Sequence, residues 1–389
     1  MKIKKIDAFG NNSIKVPFFR PYIDKEDIKS VENSLKRPLL TDGPILQEFE
    51  SKFSKLTGAK FAVGVSNATS ALQLSLKALG IGKNDEVILP DMTFVATGNS
   101  ILNVGATPVI VDVNDDMNIS LDSIKENITS KTKAIIPVHF AGKICDIKNI
   151  KKIATANNLF LIEDCAHAIG AKFENKHAGT FGDAGCFSFY PTKNITTIEG
   201  GMVICNSKNT MQRIQSFRNH GITRTLKQRF SDGKPWDYDE IEPGYNFRLD
   251  EIRSSLGISQ LKKISKLNSL RRKACEYYNS KLKEIDGIES PQLSKKNDNA
   301  FHLYIIKIKK EYGLSRNKLF LKLLNSGIRT SVHYKPLHKF TIFKKEAKIK
   351  KELKNSKTLY KEILSLPLFP KITRKEQNYV IEKIKQFQG

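Results

Sequence analysis

Between residues 56 and 206 the chain alternates short apolar runs with stretches whose apolar positions recur every three or four residues. The short runs lie at 60–65, 86–89, 107–111, 134–138, 160–163, 186–188 and 201–205. They are rich in Val, Ile and Phe, and most are bounded by Gly, Asn, Asp or Pro, so they read as strands. Helical patterns fall between several of them, as at 70–79 and 147–157. This alternation predicts an α/β fold: a mostly parallel seven-stranded sheet with covering helices, its ligands gathered beyond the carboxyl ends of the strands.

The pattern then changes. Residues 222–243, with Gly, Pro, Trp236 and many charges, read as a long loop, and 250–284 as one or two long helices. After about Ala300 a strand (301–308), a helix (316–325), a strand near 330–334 and a last helix (375–387) form a smaller α+β unit. The expected division is a large domain over 1–255, including an N-terminal segment 1–25, and a small domain over 256–389 entered through the long helical region.

Composition narrows the class. A chain of 389 residues with 40% apolar content can bury a sizeable core, which excludes disorder. Lys and Arg exceed Asp and Glu by 65 − 40 = 25, but the excess is spread along the chain, a property of solubility and steering. No nucleic-acid motif or dense basic–aromatic stripe accompanies it. Residues 1–12 carry charges and no apolar leader, and no run approaches the roughly 18 apolar residues of a membrane span. A cytoplasmic protein with no membrane partner is expected. The five cysteines are widely spaced without a CxxC pair, so they read as buried apolar residues, neither zinc ligands nor disulfides.

Candidate chemistry sits at the strand ends. In FLIEDCAHAIGA (160–171) an apolar strand ends in Glu163 and Asp164. The plain reading is a carboxylate capping the next helix; the sharper one is a charge aimed into a site. In SFYPTKNITTIEGGMVIC (188–205) a strand ends at Ser188, and Lys193 follows in a stretch otherwise uncharged until Glu199. Alone, Lys193 would read as a solvated loop lysine; desolvated, it is a nucleophile toward carbonyls. VGVSNATSALQLSL (63–76) is a strand, a turn of small residues and a helix start, where Ser66, Ala68, Thr69 and Ser70 can meet a phosphate. PDMTFVATGNS (90–100) puts Phe94 after another strand. Phosphate cradle, aromatic plate, carboxylate and amine together fit pyridoxal 5'-phosphate.

Ten segments now make a resemblance: LTDGP (40–44), SNATSAL (66–72), MTFVAT (92–97), GATPVIVDV (105–113), EDCAHAIGA (163–171), SFYPTKNITTIEGG (188–201), RNHGIT (218–223), GYNFRLDEI (244–252), SVHYKPLH (331–338) and LSLPLFP (364–370). With these, the sequence resembles the DegT/DnrJ/EryC1/StrS family of sugar aminotransferases, a branch of the fold type I, aspartate aminotransferase-like pyridoxal phosphate enzymes, from about residue 16 to 387.

The resemblance implies roles. Lys193 would hold pyridoxal phosphate through a Schiff base and then move protons between sugar and cofactor. Asp164 would pair with the pyridinium nitrogen, His167 would contact the ring's 3-oxygen, and Phe94 would stack on the ring. Ala68, Thr69 and Ser188 would bind the phosphate. Asn246 and Arg248 match a motif that in relatives reaches across a dimer interface, which implies a homodimer with shared active sites. Structural readings stand beside these: a helix-face histidine for His167, core packing for Phe94, a surface ion pair for Arg248. The two histidines of HYKPLH read as lining or packing residues and not as metal ligands.

Within the family, N-I-T-T-I-E-G-G after the lysine resembles enzymes that aminate C4 of a 4-keto nucleotide sugar; those acting at C3 more often read L-G-A-x-G-D-G-G. Ile198 stands where Gly or Ala is frequent. The dehydratase branch carries His in place of the lysine, which is present here. The resulting expectation is transfer of the amino group of L-glutamate, leaving 2-oxoglutarate, to a nucleotide-linked 4-keto sugar for surface polysaccharide or glycan biosynthesis. A C3-specific enzyme and a non-catalytic regulatory relative remain the alternatives.

Overall fold

The computed structural model describes residues 14–224, 226–293 and 298–389. Residues 1–12, read above for the lack of a leader, lie outside the described residues, as does position 225 of the expected loop. In chain order the strands are β1 (Phe61–Val65), β2 (Glu86–Pro90), β3 (Thr107–Val111), β4 (Thr132–Ile135), β5 (Phe160–Asp164), β6 (Lys172–Phe173), β7 (Lys176–His177), β8 (Ala184–Ser188), β9 (Gly201–Cys205), β10 (Ile288–Glu289), β11 (Tyr304–Ile308) and β12 (Ile363–Leu366).

Seven of them form the main sheet in the order β1-β9-β8-β5-β4-β2-β3. The pairs from β8 through β5, β4 and β2 to β3 are parallel, and β9 alone runs against both of its neighbours. The expected mostly parallel α/β sheet is therefore present. Its central strands are buried along their whole length, as in EVILP, AGCFS and GMVIC, which is why they read as continuous apolar runs. Successive residues supply opposite faces. Leu161, Phe187 and Met202 pack with Phe49 and Phe53, while Ile162, Cys186 and Val203 pack with Leu72 and Leu76 of the helix Ala68–Ala78.

A second, antiparallel sheet has the order β10-β11-β12. Its core of Tyr304, Ile306 and Leu364 is closed by the helices Arg316–Asn325 and Arg374–Gln386. The helix Ile264–Leu282 joins the two cores, with Ile264 and Leu267 in the first and Tyr278 and Leu282 in the other. β6 and β7 make a two-stranded hairpin that the sequence pattern did not signal.

Three expectations change. The run 134–138 keeps ladder pairing only to Ile135, because Pro137 has no N–H to donate; Val138 makes one isolated bridge to Asp164. The strand expected near 330–334 is a single bridge, Ser331 to Ser365; the third strand of the small sheet is β12, which runs into the LSLPLFP landmark. The long loop contains a short helix, Leu226–Ser231. Of the one or two helices expected over 250–284 there are two, Glu251–Leu261 and Ile264–Leu282. All five cysteines are buried and free, as expected. No helix of the described residues is long and apolar enough to cross a membrane.

Two landmarks meet in one helix cap. The helix Pro44–Thr57 has Gly43 at its N-cap and therefore no capping side chain of its own. Glu251, fully buried, reaches across from GYNFRLDEI and accepts the N–H groups of Gly43 (3.1 Å), Ile45 (2.8 Å) and Leu46 (2.9 Å). The negative charge lies where the helix dipole is positive. A Cβ at Gly43 would come 2.6 Å from the Glu251 carboxylate and would push it off the helix end that it caps. Glu251→Gln should remove charge-assisted acceptance and lower stability by about 1.5–3 kcal/mol, read as a fall in the urea midpoint with an unchanged m-value.

Candidate active site

The register of the main sheet assembles the site. Val65 of β1, Gly201 of β9 and Ser188 of β8 lie side by side, and Cys186 of β8 pairs with Asp164 of β5. The carboxyl ends of β1, β8 and β5 thus open onto one edge, where parallel α/β sheets bind ligands.

At β1 the chain turns through Ser66 and Asn67 into the helix Ala68–Ala78. The Asn67 Oδ1 caps this helix by accepting from Ser70 N at 2.8 Å. The first-turn N–H groups of Ala68 and Thr69 have no intrahelical partner and carry the positive end of the dipole. Gly201 passes beneath this turn: a Cβ there would meet the Asn67 carbonyl carbon at 2.5 Å and Ala68 N at 2.9 Å. Ser188, which pairs with Gly201, is almost fully buried at the end of β8. A helix start, a glycine floor and a serine hydroxyl form an anion cradle.

Asp164 closes β5 and is buried; Thr97 Oγ1 donates to its Oδ2 at 2.9 Å and Ala166 N to its Oδ1 at 3.1 Å. Burial pushes its carboxyl upward, against the pull of those two bonds and of the nearby charge of Lys193. Thr97 also shares a hydrogen bond of 2.8 Å with Thr93, so the helix Val95–Asn103, with Phe94 at its N-cap, is tied to Asp164. Phe94 is 57% exposed, so its ring is an open plate and not core packing. The adjoining Glu163 turns the other way. It accepts from Gly179 N (2.8 Å), Phe181 N (2.7 Å) and Gly182 N (2.7 Å) and pairs with His139 Nε2 at 2.9 Å. Among the described residues only His139, Glu163 and Cys165 cluster like metal ligands. The glutamate and the imidazole are already committed to these bonds, which argues for a structural role.

Lys193 follows β8 in a tight turn, its N–H bonded to Tyr190 O at 2.8 Å. Burial lowers its amine to about 8, with Asp164 opposing the shift. The turn continues through Thr196 and Thr197 to Ile198, whose φ of 70° lies in the left-handed region that favours glycine.

His167 is buried three residues after Asp164. Its Nε2 shares a hydrogen bond of 3.0 Å with the Tyr334 hydroxyl, and its Nδ1 is buried with no partner among the described residues. Burial and the Lys193 charge hold it well below the usual histidine range, so it is neutral. Tyr334 in turn lies 5.9 Å from the Phe94 ring. The histidines of HYKPLH go to different partners: His333 Nδ1 to Ser365 Oγ (2.8 Å), His338 Nδ1 to the buried Asp91 (2.6 Å). The latter bond fixes the 333–338 segment to the end of β2.

Asn246 and Arg248 sit elsewhere. Asn246 is exposed, and Arg248 bonds the Asn219 side chain and lies 3.7 Å from Asp42. Among the described residues neither makes a hydrogen bond or ion pair with Lys193, Asp164 or His167. Sequence reading did not single out Thr97, Asn194, His302 or Tyr334. Thr97 could have been found as the residue one helical turn beyond Phe94, and Asn194 as the neighbour of Lys193.

The residues present fit pyridoxal phosphate. The orphaned Nδ1 of His167, the glycine-floored cradle and a buried carboxylate facing an amine supply partners for a phenolic oxygen, a phosphate, a pyridinium and an aldehyde.

Residues 21–385 match the DegT/DnrJ/EryC1/StrS aminotransferase family. The chain belongs to that family. Its relative SpsC of Bacillus subtilis, a spore coat polysaccharide biosynthesis protein, is 36% identical over 95% of this chain and 96% of SpsC. Among solved structures, Helicobacter pylori PseC, an aminotransferase involved in the biosynthesis of pseudoaminic acid, superposes with a TM-score of 0.89 at 31% identity, covering 96% of this chain and 99% of PseC. Spr1654 of Streptococcus pneumoniae in its PMP form gives 0.89 at 31% identity, over 96% and 99% of the two chains. These neighbours confirm the fold type I architecture.

The lowered lysine has a consequence for the cofactor-free protein. A folded-state value of about 8 against 10.5 means that the fold disfavours the charged amine. Lys193 therefore costs stability below about pH 8, and the cost fades as pH rises from 8 toward 10.5. Lys193→Met should be more stable than the parent at pH 7 and lose that advantage by pH 10, measured as paired urea midpoints across the range.

Proposed function

We propose that this protein is a pyridoxal phosphate-dependent sugar aminotransferase that moves the amino group of L-glutamate to C4 of a nucleotide-linked 4-keto sugar, for polysaccharide or glycan biosynthesis. The observation that carries the reading is the neutralisable Lys193 amine facing the buried Asp164 carboxylate at the sheet edge. The cofactor, when bound, supplies an aldehyde that takes up an amino group and a ring that draws electrons away from it. Lys193 would hold the aldehyde between turnovers and, once displaced, would take up and return a proton at Nζ. Asp164 would keep a proton on the ring nitrogen, aimed by Thr97 and Ala166. His167 would donate from Nδ1 to the ring oxygen, its Nε2 accepting from Tyr334. Ala68, Thr69 and Ser188 would hold the phosphate, and Phe94 would cover the ring.

The C4 position rests on the resemblance of TTIEGG to the C4 branch, and the presence of Lys193 separates the chain from the lysine-free dehydratases. We further propose a homodimer in which Asn246 and Arg248 complete the partner's site, and a division of the chain into domains 1–255 and 256–389. A cytoplasmic location agrees with the supply of glutamate and nucleotide sugars.

The two halves of the reaction can be tested apart. Glutamate alone should bleach the visible band of the loaded enzyme and release 2-oxoglutarate. A 4-keto-6-deoxy nucleotide sugar should then restore the band and gain one amino group by mass. Recovery with 3-keto sugars only would overturn the C4 assignment, and recovery with small keto acids only would overturn the sugar. For the dimer, mixed Lys193→Ala and Asn246→Ala subunits should recover activity above both parents; no recovery after demonstrated exchange would contradict shared sites.

A further inference from the structure

A cavity of about 50 Å³ lies beside Lys193, lined also by Thr192, His302, His333 and Tyr334. It is roomy enough for at least one water molecule. Neither Lys193 Nζ nor His302 Nε2 has a hydrogen-bond partner among the described residues. The other nitrogen of His302 is committed, and its proton can be assigned by following acceptors. The carbonyl oxygen of Ile169 can only accept, so Asn268 Nδ2 donates to it at 3.0 Å and Asn268 Oδ1 is an acceptor. Asn194 Nδ2 donates to that Oδ1 at 2.7 Å and to Ala300 O at 2.6 Å. Asn194 Oδ1 is therefore an acceptor as well, and His302 Nδ1, 3.1 Å away, must be the donor. His302 is locked as the Nδ1–H tautomer with a bare lone pair on Nε2.

We propose that His302 is a positioning residue that accepts a hydrogen bond from the Lys193 amine through a water held in this cavity, at an Nε2 kept bare by the Asn268–Asn194 chain. Asn194 follows Lys193 directly, so one chain of amides fixes both the lysine's backbone and the imidazole that receives its side chain. The groups around the pair are Asp164, the rings of His167, His333 and Tyr334, and Arg271, which donates to His302 O at 3.2 Å. The His302 ring packs against His167 with centroids 4.3 Å apart and the planes tilted by 32°. Burial, with the charges of Lys193 and Arg271, keeps His302 neutral, so its lone pair persists through neutral pH. The acceptor would steady the amine whenever it is detached from the cofactor. This inference rests on Lys193 being the reactive amine.

Two measurements test it on the full-length protein. Imidazole ¹⁵N NMR of the wild type should show His302 with a protonated Nδ1 and a bare Nε2 from pH 6 to 9; a protonated Nε2 would overturn the proposal without any variant. In the cofactor-free protein, the pH dependence of Lys193 acetylation, followed by peptide mass, gives its titration. His302→Phe keeps the ring and removes the acceptor, and should lower the Lys193 midpoint by about one unit, the order of a lost hydrogen bond to a charged group. An unchanged or raised midpoint would refute the role. Should that variant not fold, Asn194→Leu frees the tautomer and should lower the midpoint in the same direction; no change would count against the proposal. Borohydride reduction of the loaded protein, mapped by peptide, separates the two levels. A label away from Lys193 defeats the reading of the site, whereas a label on Lys193 with an unmoved midpoint defeats only the role of His302.

Discussion

A carboxylate closed off from water at the end of a central strand sets the terms for the rest of the site. Among the described residues the Asp164 carboxylate accepts from one hydroxyl and one backbone N–H, and burial pushes its carboxyl upward. Such a charge is costly to bury unless other groups compensate it. The fold brings three kinds of compensation. Thr97 ties the carboxylate to the turn that carries Phe94. The amine of Lys193 faces it without a direct hydrogen bond. A pyridinium nitrogen, on the proposed reading, would supply the missing donor. Glu163, one residue earlier, shows the contrast: three N–H groups and His139 satisfy it fully, and it serves structure alone.

The two sheets meet around this charge. The small-sheet side contributes His302, His333 and Tyr334, and the Asp91–His338 bond fixes the 333–338 segment to the main sheet. Burial is what lowers the Lys193 amine, and the buried neutral imidazoles beside it add no positive charge of their own, so the lone pair of His302 can receive the amine without repelling it.

Much of this was legible in the sequence. The seven strands of the main sheet were visible because buried parallel strands are continuous apolar runs, and Lys193, Asp164 and His167 converge as their motifs suggested. What escaped notice depends on long-range partners. Pro137 shortened a strand that its apolar neighbours extended. β12 has four residues and gains its place only by pairing with β11, while the 330–334 run that looked like a strand bends to aim His333 and Tyr334 at the site. Glu251 caps a helix some 200 residues away, which no local pattern encodes. The proton on His302 Nδ1 follows from Asn268, Asn194 and two carbonyl groups that the sequence scatters over more than 130 positions. For Asn246 and Arg248 the partners among the described residues include Asn219 and Asp42, away from Lys193, so their proposed role depends on a second subunit.

The central claim is that Asp164 holds a proton on the ring nitrogen of bound pyridoxal phosphate. Its most direct test is ¹⁵N NMR of cofactor labelled at that nitrogen, bound to the wild type and to Asp164→Asn at neutral pH. The account predicts a protonated ring nitrogen in the wild type and an unprotonated one in the variant. A ring nitrogen that is unprotonated in the wild type, or equally protonated in both, would contradict it.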